Sequence, residues 1–311
     1  MMDIQTDLAR QEEDASPLPP TTLIICSRNR PQLLIDVVES ILKGEEVPGE
    51  LVIIDQSEKI NRTLETFTTA RTCSIRYVWS HEVGLSRANN LGIALASNEI
   101  IAFTHDDVLV APSWYATLVR ALVKTGPRSI VTGQVRVSEE EVPGGFQLTL
   151  KVEQASAIYK GRIKKDVLLP LNMAMYRCVP LGIGGFDVRI GPGTPFPAAE
   201  DNDFGFRLLE AGYQIIYVPQ AVIYHRSFRE EKTFIPLRWS YGLGRGAFYA
   251  KHLRLRDVYM IKRMLNDIKI HLLLFAWRIR GERQKALGDA ALALGIIYGA
   301  IKWLMTQRRI N

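Results

Sequence analysis

Short apolar runs recur along the first third of the chain, at Thr22-Leu23-Ile24-Ile25-Cys26, Leu51-Val52-Ile53-Ile54-Asp55 and Ile100-Ile101-Ala102-Phe103-Thr104, and Ile75 to Trp79, interrupted by Arg76, can be a further strand. Runs of this length predict strands buried on both faces, as in a parallel sheet. Between them the apolar spacing lengthens to three and four. After Pro31, Leu34, Val37, Val38, Ile41 and Leu42 share one stripe and Gly44 follows, which predicts a helix opening at Pro31. Further helices are expected from Leu85 to Ala96 and from Pro112 to Lys124. Strands alternating with helices of this length predict an α/β fold, a mostly parallel sheet with helices on both faces. Such sheets bind ligands beyond the C-terminal ends of their strands, where Asp55 and His105-Asp106-Asp107 fall.

From Ser129 to Arg177 the pattern is strand-like but less regular, with a turn expected at Pro143-Gly144-Gly145. A Gly/Pro-rich loop follows, from Gly182 through Asp187 to Pro195. It leads into Glu200-Asp201-Asn202-Asp203, and Phe204, Leu208 and Leu209 continue as a helix ending near Gly212. Ile215 to Val218 and Ala221 to Tyr224 read as two more strands, the second delivering His225. Beyond Pro236 the character changes: Lys251 to Arg280 is basic and helical, and Ala290 to Met305 is strongly apolar. No internal repeat is found. The expected division is a loose leader over 1–20, a catalytic α/β domain over 21–235 and a helical, basic C-terminal region over 236–311.

Composition narrows the class. With 311 residues, 47% hydrophobic and 23% charged, the chain is neither disordered, collagen-like nor a polytopic membrane protein. Cys26, Cys73 and Cys178 are too scattered for a disulfide framework or a CxxC metal site, so a reducing, cytoplasmic setting is expected. The acidic, polar N-terminus lacks the basic and apolar regions of a signal peptide. The net charge of +6 hides an asymmetry: Arg226 to Asn311 holds 18 Lys+Arg against 6 Asp+Glu, so the remainder is net negative. A basic module of this kind meets an anionic partner, either nucleic acid or a lipid surface.

Adjacent carboxylates at a strand end repel one another, and a divalent cation removes that cost, so Asp106-Asp107 is a candidate metal site. The alternative is an acidic helix cap before Pro112. His225 at another strand end becomes a ligand only if it converges with Asp107. Glu200-Asp201 either serves chemistry beside the Gly/Pro loop or only favours a helix N-terminus. The glycines from Gly182 lack both the GxGxxG spacing and a P-loop Lys-Ser/Thr, so a dinucleotide or Walker site is excluded.

The order of these pieces resembles the family 2 glycosyltransferases. The likeness rests on Leu23 to Pro31 (LIICSRNRP), Leu51 to Asp55, Val83 to Gly92 (VGLSRANNLG) and Phe103 to Val108 continuing to Trp114. It extends through Gly184-Gly185-Phe186-Asp187, Glu200 to Asp203, and Val218-Pro219 to His225. The resemblance implies a GT-A fold, a nucleotide-sugar donor, a divalent metal (Mn²⁺ or Mg²⁺) and inversion at the anomeric carbon. By position, Ser27 and Arg28 would line the nucleotide pocket, Asp55 would accept from the base, and Arg87, Asn90 and Asp106 would lie beside the donor. Asp107 would bind metal with His225, and Asp201, next to Glu200, would be the general base. Two positions depart from the pattern: His105 stands where a first aspartate is common, and Gln56 replaces a second acid after Asp55.

UDP is the first expectation for the nucleotide, because Asp55 suits the N3–H of uracil; thymine presents the same group and guanine a comparable one. The expected acceptor is a glycan or lipid-linked hydroxyl. Lys251 to Arg256 and Ile268 to Arg280 mix apolar and basic residues as membrane-surface helices do, against the plainer reading of a solvated helical appendage. Peripheral attachment to the cytoplasmic face of a membrane is the expectation that follows. Two rivals stand beside the transferase. A sugar-1-phosphate nucleotidyltransferase would need a Gly-rich loop after the first strand, which Cys26 to Pro31 does not provide. A nucleic-acid-binding protein would show a recognisable binding motif, and none is found.

Overall fold

The computed structural model describes residues 16–66, 69–70, 73–138, 146, 150–226, 229–253 and 258–307. Most of the leader, the expected turn at Pro143-Gly144-Gly145 and Arg254 to Arg256 lie outside them. A ten-stranded mixed sheet forms the centre. Strands β1 (Thr21–Ser27), β2 (Glu50–Asp55), β4 (Cys73–Trp79) and β5 (Ile100–His105) are parallel neighbours, with the short β3 (Thr69–Ala70) antiparallel at the edge. β9 (Asn172–Tyr176) runs antiparallel between β5 and β7 (Ser129–Val137), and β10 (Gln214–His225) lies parallel to β7. Two reversals restore the direction, so β1, β2, β5 and β10 all end at one edge. Along β10, antiparallel β6 (Val108–Val110) and β8 (Ala157–Lys160) complete the sheet.

The apolar runs of β1, β2 and β5 are continuous because both of their faces are buried, whereas β4, beside the short edge strand β3, alternates, with Ser74 and Arg76 exposed. Leu23 and Ile25 of β1, with Leu51 and Ile53, pack under helices α1 (Pro31–Leu42) and α4 (Trp114–Thr125). Ile24 and Cys26, with Val52 and Ile54, pack on the other face against α3 (Leu85–Leu95) and α6 (Glu200–Glu210). Two small helices, α2 (Arg62–Glu65) and α5 (Cys178–Gly182), join the loops. The two strands expected at Ile215–Val218 and Ala221–Tyr224 are one, β10, whose register with β7 shifts between Val218 and Val222. Pro219 has no N–H to give the ladder, so the interruption falls where the sequence pattern breaks.

The C-terminal region consists of α7 (Phe234–Lys251), α8 (Tyr259–Arg278) and α9 (Arg283–Gln307). The apolar segment seen in the sequence is thus part of a longer helix. α7 and α9 touch backbone to backbone through facing glycines. A Cβ on Gly246 would stand 2.2 Å from the Ile296 carbonyl, and one on Gly299 2.3 Å from that of Leu243. Phe248, Ile296 and Trp303 close a third core with Ile190, Phe196 and Phe206, tying these helices to the loop before α6 and to α6 itself. Gly246→Leu is expected to cost about 3 kcal/mol or more, because backbone on both sides cannot yield. Gly281→Ala, with nothing within 4 Å of the added carbon, should stay within about 0.5 kcal/mol. Urea unfolding of the two variants checks this, and equal midpoints would refute the seam.

Candidate active site

The ends of β1, β5 and β10 open onto a cleft of about 810 Å³ whose walls include Ser27, Arg28, Asp107, His225 and Asp201. On its sheet side, Ser27 Oγ donates to Asp106 Oδ2 at 2.7 Å. One nitrogen of Arg30, Nη1, reaches both acids, at 2.9 Å from Asp106 Oδ1 and 2.8 Å from Asp107 Oδ2. The loop that carries Arg28 and Arg30 is pinned by Asn29, which adopts φ +56° as asparagine tolerates. Its backbone N–H donates to Ser57 Oγ at 2.7 Å, and its Oδ1 accepts from the Glu58 N–H at 2.9 Å.

Convergence of His225 with Asp107 follows from topology. β6 turns back beside the end of β10, placing Val108 opposite His225, and the Arg226 N–H donates to the Asp107 carbonyl at 2.8 Å. His225 Nε2 then lies 3.6 Å from Asp107 Oδ1, a buried oxygen that accepts no hydrogen bond among the described residues. Burial pushes the Asp107 carboxyl up, but His225, His105 and Arg30 outweigh it and hold the group below the usual carboxylate range. Asp106 goes the other way: burial, reinforced by the Asp107 charge, lifts it despite Arg30 and Ser27. Burial lowers His105 to about 4, against the pull of the Asp107 charge. Asp107 is therefore the fixed negative charge at this wall.

Another part of the lining is built by the Gly/Pro loop and α6. Gly193, at φ +87°, comes so close to Gly84 that an added Cβ would sit 2.9 Å from the Gly84 Cα. That contact, with the Leu85 N–H donating to the Pro192 carbonyl at 3.0 Å, docks the loop on the start of α3. Ala199 takes a left-handed φ of +74° and turns the chain into α6, where Glu200 and Asp201 face the cleft. Burial raises both carboxyls. The charge of Asp201 adds to the rise of Glu200, and that of Asp166 to the rise of Asp201, which Arg245 partly offsets. The helix-dipole expectation, that α6 would favour ionised acids, is outweighed here by desolvation and by carboxylates close together. Asp203 belongs to the framework: fully buried, it joins α6 to the end of α7 through Lys251 at 2.6 Å and His252 at 2.8 Å.

Three residues expected beside the donor do not line the cleft. Asp55 is buried, its Oδ1 accepting from the Ser57 N–H at 2.9 Å and its Oδ2 from the Tyr77 hydroxyl at 2.7 Å. Asn90 spends its amide on the backbone of Phe186, accepting from the N–H and donating to the carbonyl, both at 2.8 Å. Arg87 is exposed behind Gly84. Gln56 does reach the cleft, and its neutral amide has a use there: Oε1 accepts from the Gly84 N–H at 3.1 Å while Nε2 donates to the Gly84 carbonyl at 3.2 Å.

Sequence reasoning missed Arg30, although it lies inside the quoted LIICSRNRP segment three residues past Ser27. It also missed the contribution of α7. Leu237, Ser240, Tyr241 and Arg245 are spaced along one helical face and line the cleft, so the wall continues past 235. Arg245 is held by Asp267 at 3.0 Å and lies 4.0 Å from Asp166, which also lines the cleft and is paired with Arg263. No spacing signal marked Asp166.

Among the described residues no group of three or more His, Cys, Asp or Glu side chains is disposed to hold a metal alone. The pair formed by Asp107 Oδ1 and His225 Nε2 fits a divalent cation that takes its remaining oxygens from a bound diphosphate or water.

Comparison with known proteins adds independent information. The sequence model described as "Glycosyl transferase family 2" matches residues 22–178. The glucosyl-dolichyl phosphate glucuronosyltransferase of Haloferax volcanii is 24% identical over 227 residues, 68% of this chain and 71% of that protein. The pre-mycofactocin glycosyltransferase of Mycobacterium tuberculosis is 26% identical over 269 residues, 80% of this chain, and the match spans about half of that protein (54%). In fold the chain is similar to the mannosyltransferase PcManGT from Pyrobaculum calidifontis, solved in complex with GDP-Man and Mn²⁺. The TM-score is 0.61 at 16% identity, covering 94% of this chain and 88% of that one. It is also similar to S. aureus TarS 1–349 in complex with UDP-GlcNAc, with a TM-score of 0.53 at 10% identity, over 89% and 90% of the two chains.

Proposed function

Since this chain belongs to glycosyl transferase family 2 and has the GT-A architecture, we propose that it moves a hexosyl group from a nucleotide-sugar donor to an acceptor hydroxyl with inversion. The observation that carries this is that two chemically different groups line one cleft. A cationic and metal-competent group (Arg28, Arg30, Asp107, His225) shares it with a pair of acids with raised pKa (Glu200, Asp201). Single displacement needs one region to stabilise the leaving group and another to deprotonate the attacking hydroxyl.

In this reading the diphosphate lies over the ends of β1 and β5, beside Ser27 and Arg28, and Arg30 orients the two aspartates. Asp201 takes the proton of the acceptor hydroxyl. The acceptor oxygen bonds to the anomeric carbon as the bond from that carbon to the phosphate oxygen breaks, and its electron pair leaves with the nucleoside diphosphate. A divalent cation held by Asp107 and His225 would neutralise the charge gathering on that diphosphate. Glu200, its pKa lifted by burial and further by Asp201, holds a proton beside the base and keeps the pair from carrying two charges.

The acceptor is read as a glycan or lipid-linked hydroxyl, after the chemistry named for the Haloferax relative. Free Cys26, Cys73 and Cys178 support a cytoplasmic setting, and the basic C-terminal helices support a peripheral position at a membrane. Asp55, the residue behind the expectation of UDP, is engaged by Ser57 and Tyr77 at the end of β2. The similar structures hold GDP-Man in one case and UDP-GlcNAc in the other.

A thermal-shift panel tests the reading. UDP, GDP, their sugar conjugates and the nucleoside triphosphates are compared with and without Mn²⁺. One diphosphate and its sugar conjugate should stabilise the protein in an Mn²⁺-dependent way, by about 2.7 kcal/mol at a hundred times Kd. Stabilisation by a triphosphate together with a sugar phosphate, and by no nucleotide sugar, would point to a nucleotidyltransferase instead.

A further inference from the structure

We infer that the outward faces of α8 and α9 are a docking surface for an anionic lipid bilayer, and that both helices lie along its plane. This inference does not depend on the glycosyltransferase reading. α8 turns Ile261, Leu265 and Leu272 outward on one stripe, and Leu273 and Trp277 continue the exposed side. Trp277 is 73% exposed. On α9, Leu287, Leu294, Tyr298, Ile301 and Met305 recur at intervals of seven, four, three and four, and every one is exposed. These are two adjacent helices of 20 and 25 residues, about 30 and 37 Å long. Scattered surface leucines are ordinary; rows of this length mark a contact surface.

Charge identifies the occupant. Of the acids of this region, Asp267 and Asp289 are used inward, while Glu282, exposed in the turn between α8 and α9, is paired with Lys285 at 3.1 Å. Asp289 is buried and paired with Arg238 at 2.8 Å, Arg278 at 2.7 Å and His271 at 3.0 Å, and Asp267 is paired with Arg245. The exposed cations Lys262, Lys269, Arg280 and Arg283 have no acidic partner among the described residues. Lys262 and Lys269, seven residues apart, border the apolar stripe of α8. A second copy of the chain would bring these cations against their own images. Anionic headgroups complement them, while lysine stems reach past the apolar stripe to the headgroup level.

By length and composition α9 is apolar enough to cross a membrane, from Arg283 to Thr306. Its inner side forbids this. That side carries the buried Asp289 ion pairs and the glycine seam on α7, and α7 is a wall of the cleft. Crossing would strip those pairs or carry charged groups into hydrocarbon, both costly. Lying in the interface leaves them intact.

The full chain is tested by flotation with preformed vesicles, either pure phosphatidylcholine or phosphatidylcholine mixed with phosphatidylglycerol. Binding to the mixed vesicles is expected to exceed that to the neutral ones by tenfold or more and to weaken, without vanishing, in high salt. The variant Leu272→Glu/Leu273→Glu/Trp277→Glu should float at least tenfold less while keeping the parent's melting temperature. A C-terminal tag on bound protein should stay open to protease added outside. Equal flotation of parent and variant, or no flotation of the parent, would overturn the docking surface. A protected tag would overturn the in-plane arrangement. A stable dimer of the parent that the variant converts to monomer would assign the surface to a second copy.

Discussion

Asp201→Asn is expected to lower turnover a hundredfold or more, about 2.7 kcal/mol of transition-state stabilisation, with the Mn²⁺-dependent nucleotide shift unchanged. The exchange preserves size, and the amide oxygen can still accept the Asn202 N–H that Asp201 accepts at 2.8 Å. Only the basicity goes. In the parent, kcat/KM should rise with pH as the Glu200–Asp201 pair sheds its proton. Burial and neighbouring carboxylates lift both groups, so that rise should lie above the ordinary carboxylate range near pH ~4. In Asp201→Asn the residual rate should lose this limb. Turnover measured across pH, beside calorimetric titration of nucleotide and Mn²⁺, separates the outcomes. A normal rate in Asp201→Asn with a dead Glu200→Gln would move the base to Glu200. Normal rates in both would make the pair structural.

Asp107→Ala should remove the Mn²⁺-dependent part of nucleotide stabilisation and cut turnover to about one-hundredth or less. Asp107 Oδ1 is buried, accepts no hydrogen bond among the described residues and lies 3.6 Å from His225 Nε2, in a carboxyl held below its usual range. The change also costs Arg30 one of its two acidic partners, so the loss should exceed that of a single ligand. His225→Ala should weaken Mn²⁺ dependence less, because water can take its place. Thermal shifts with UDP or GDP over an Mn²⁺ series supply the measurement. Full Mn²⁺-dependent stabilisation and turnover in Asp107→Ala would remove Asp107 from the metal site.

The strands that carry the site were legible because a strand buried on both faces must be apolar without interruption, as Leu23 to Cys26 and Ile100 to Phe103 are. Their C-terminal ends named Asp55 and Asp106-Asp107, another strand end named His225, and Ser27 came from the family resemblance. The Gly/Pro loop before α6 pointed to Glu200 and Asp201. Harder to see was what a side chain does with its lone pairs. Asp55 stands at the expected strand end, yet Ser57 and Tyr77 engage it, and Asn90 is spent on Phe186.

By itself the sequence determined the layered α/β fold and the acids at the strand ends, because apolar period and strand termini are local properties of the chain. It also marked the C-terminal third as basic and helical. Only the tertiary structure decided that α7 is a wall of the cleft rather than part of an appendage. A polar residue on a helix looks the same facing solvent or a cavity, and the face of α7 is chosen by the glycine seam with α9. The pairing of Asp107 with His225, 118 residues apart, likewise depends on β6 turning back beside β10. The rise of the Glu200 and Asp201 carboxyls arises first from burial, and for Asp201 also from Asp166, which comes from a distant loop. Such shifts are set by distances through space, and no local pattern encodes them.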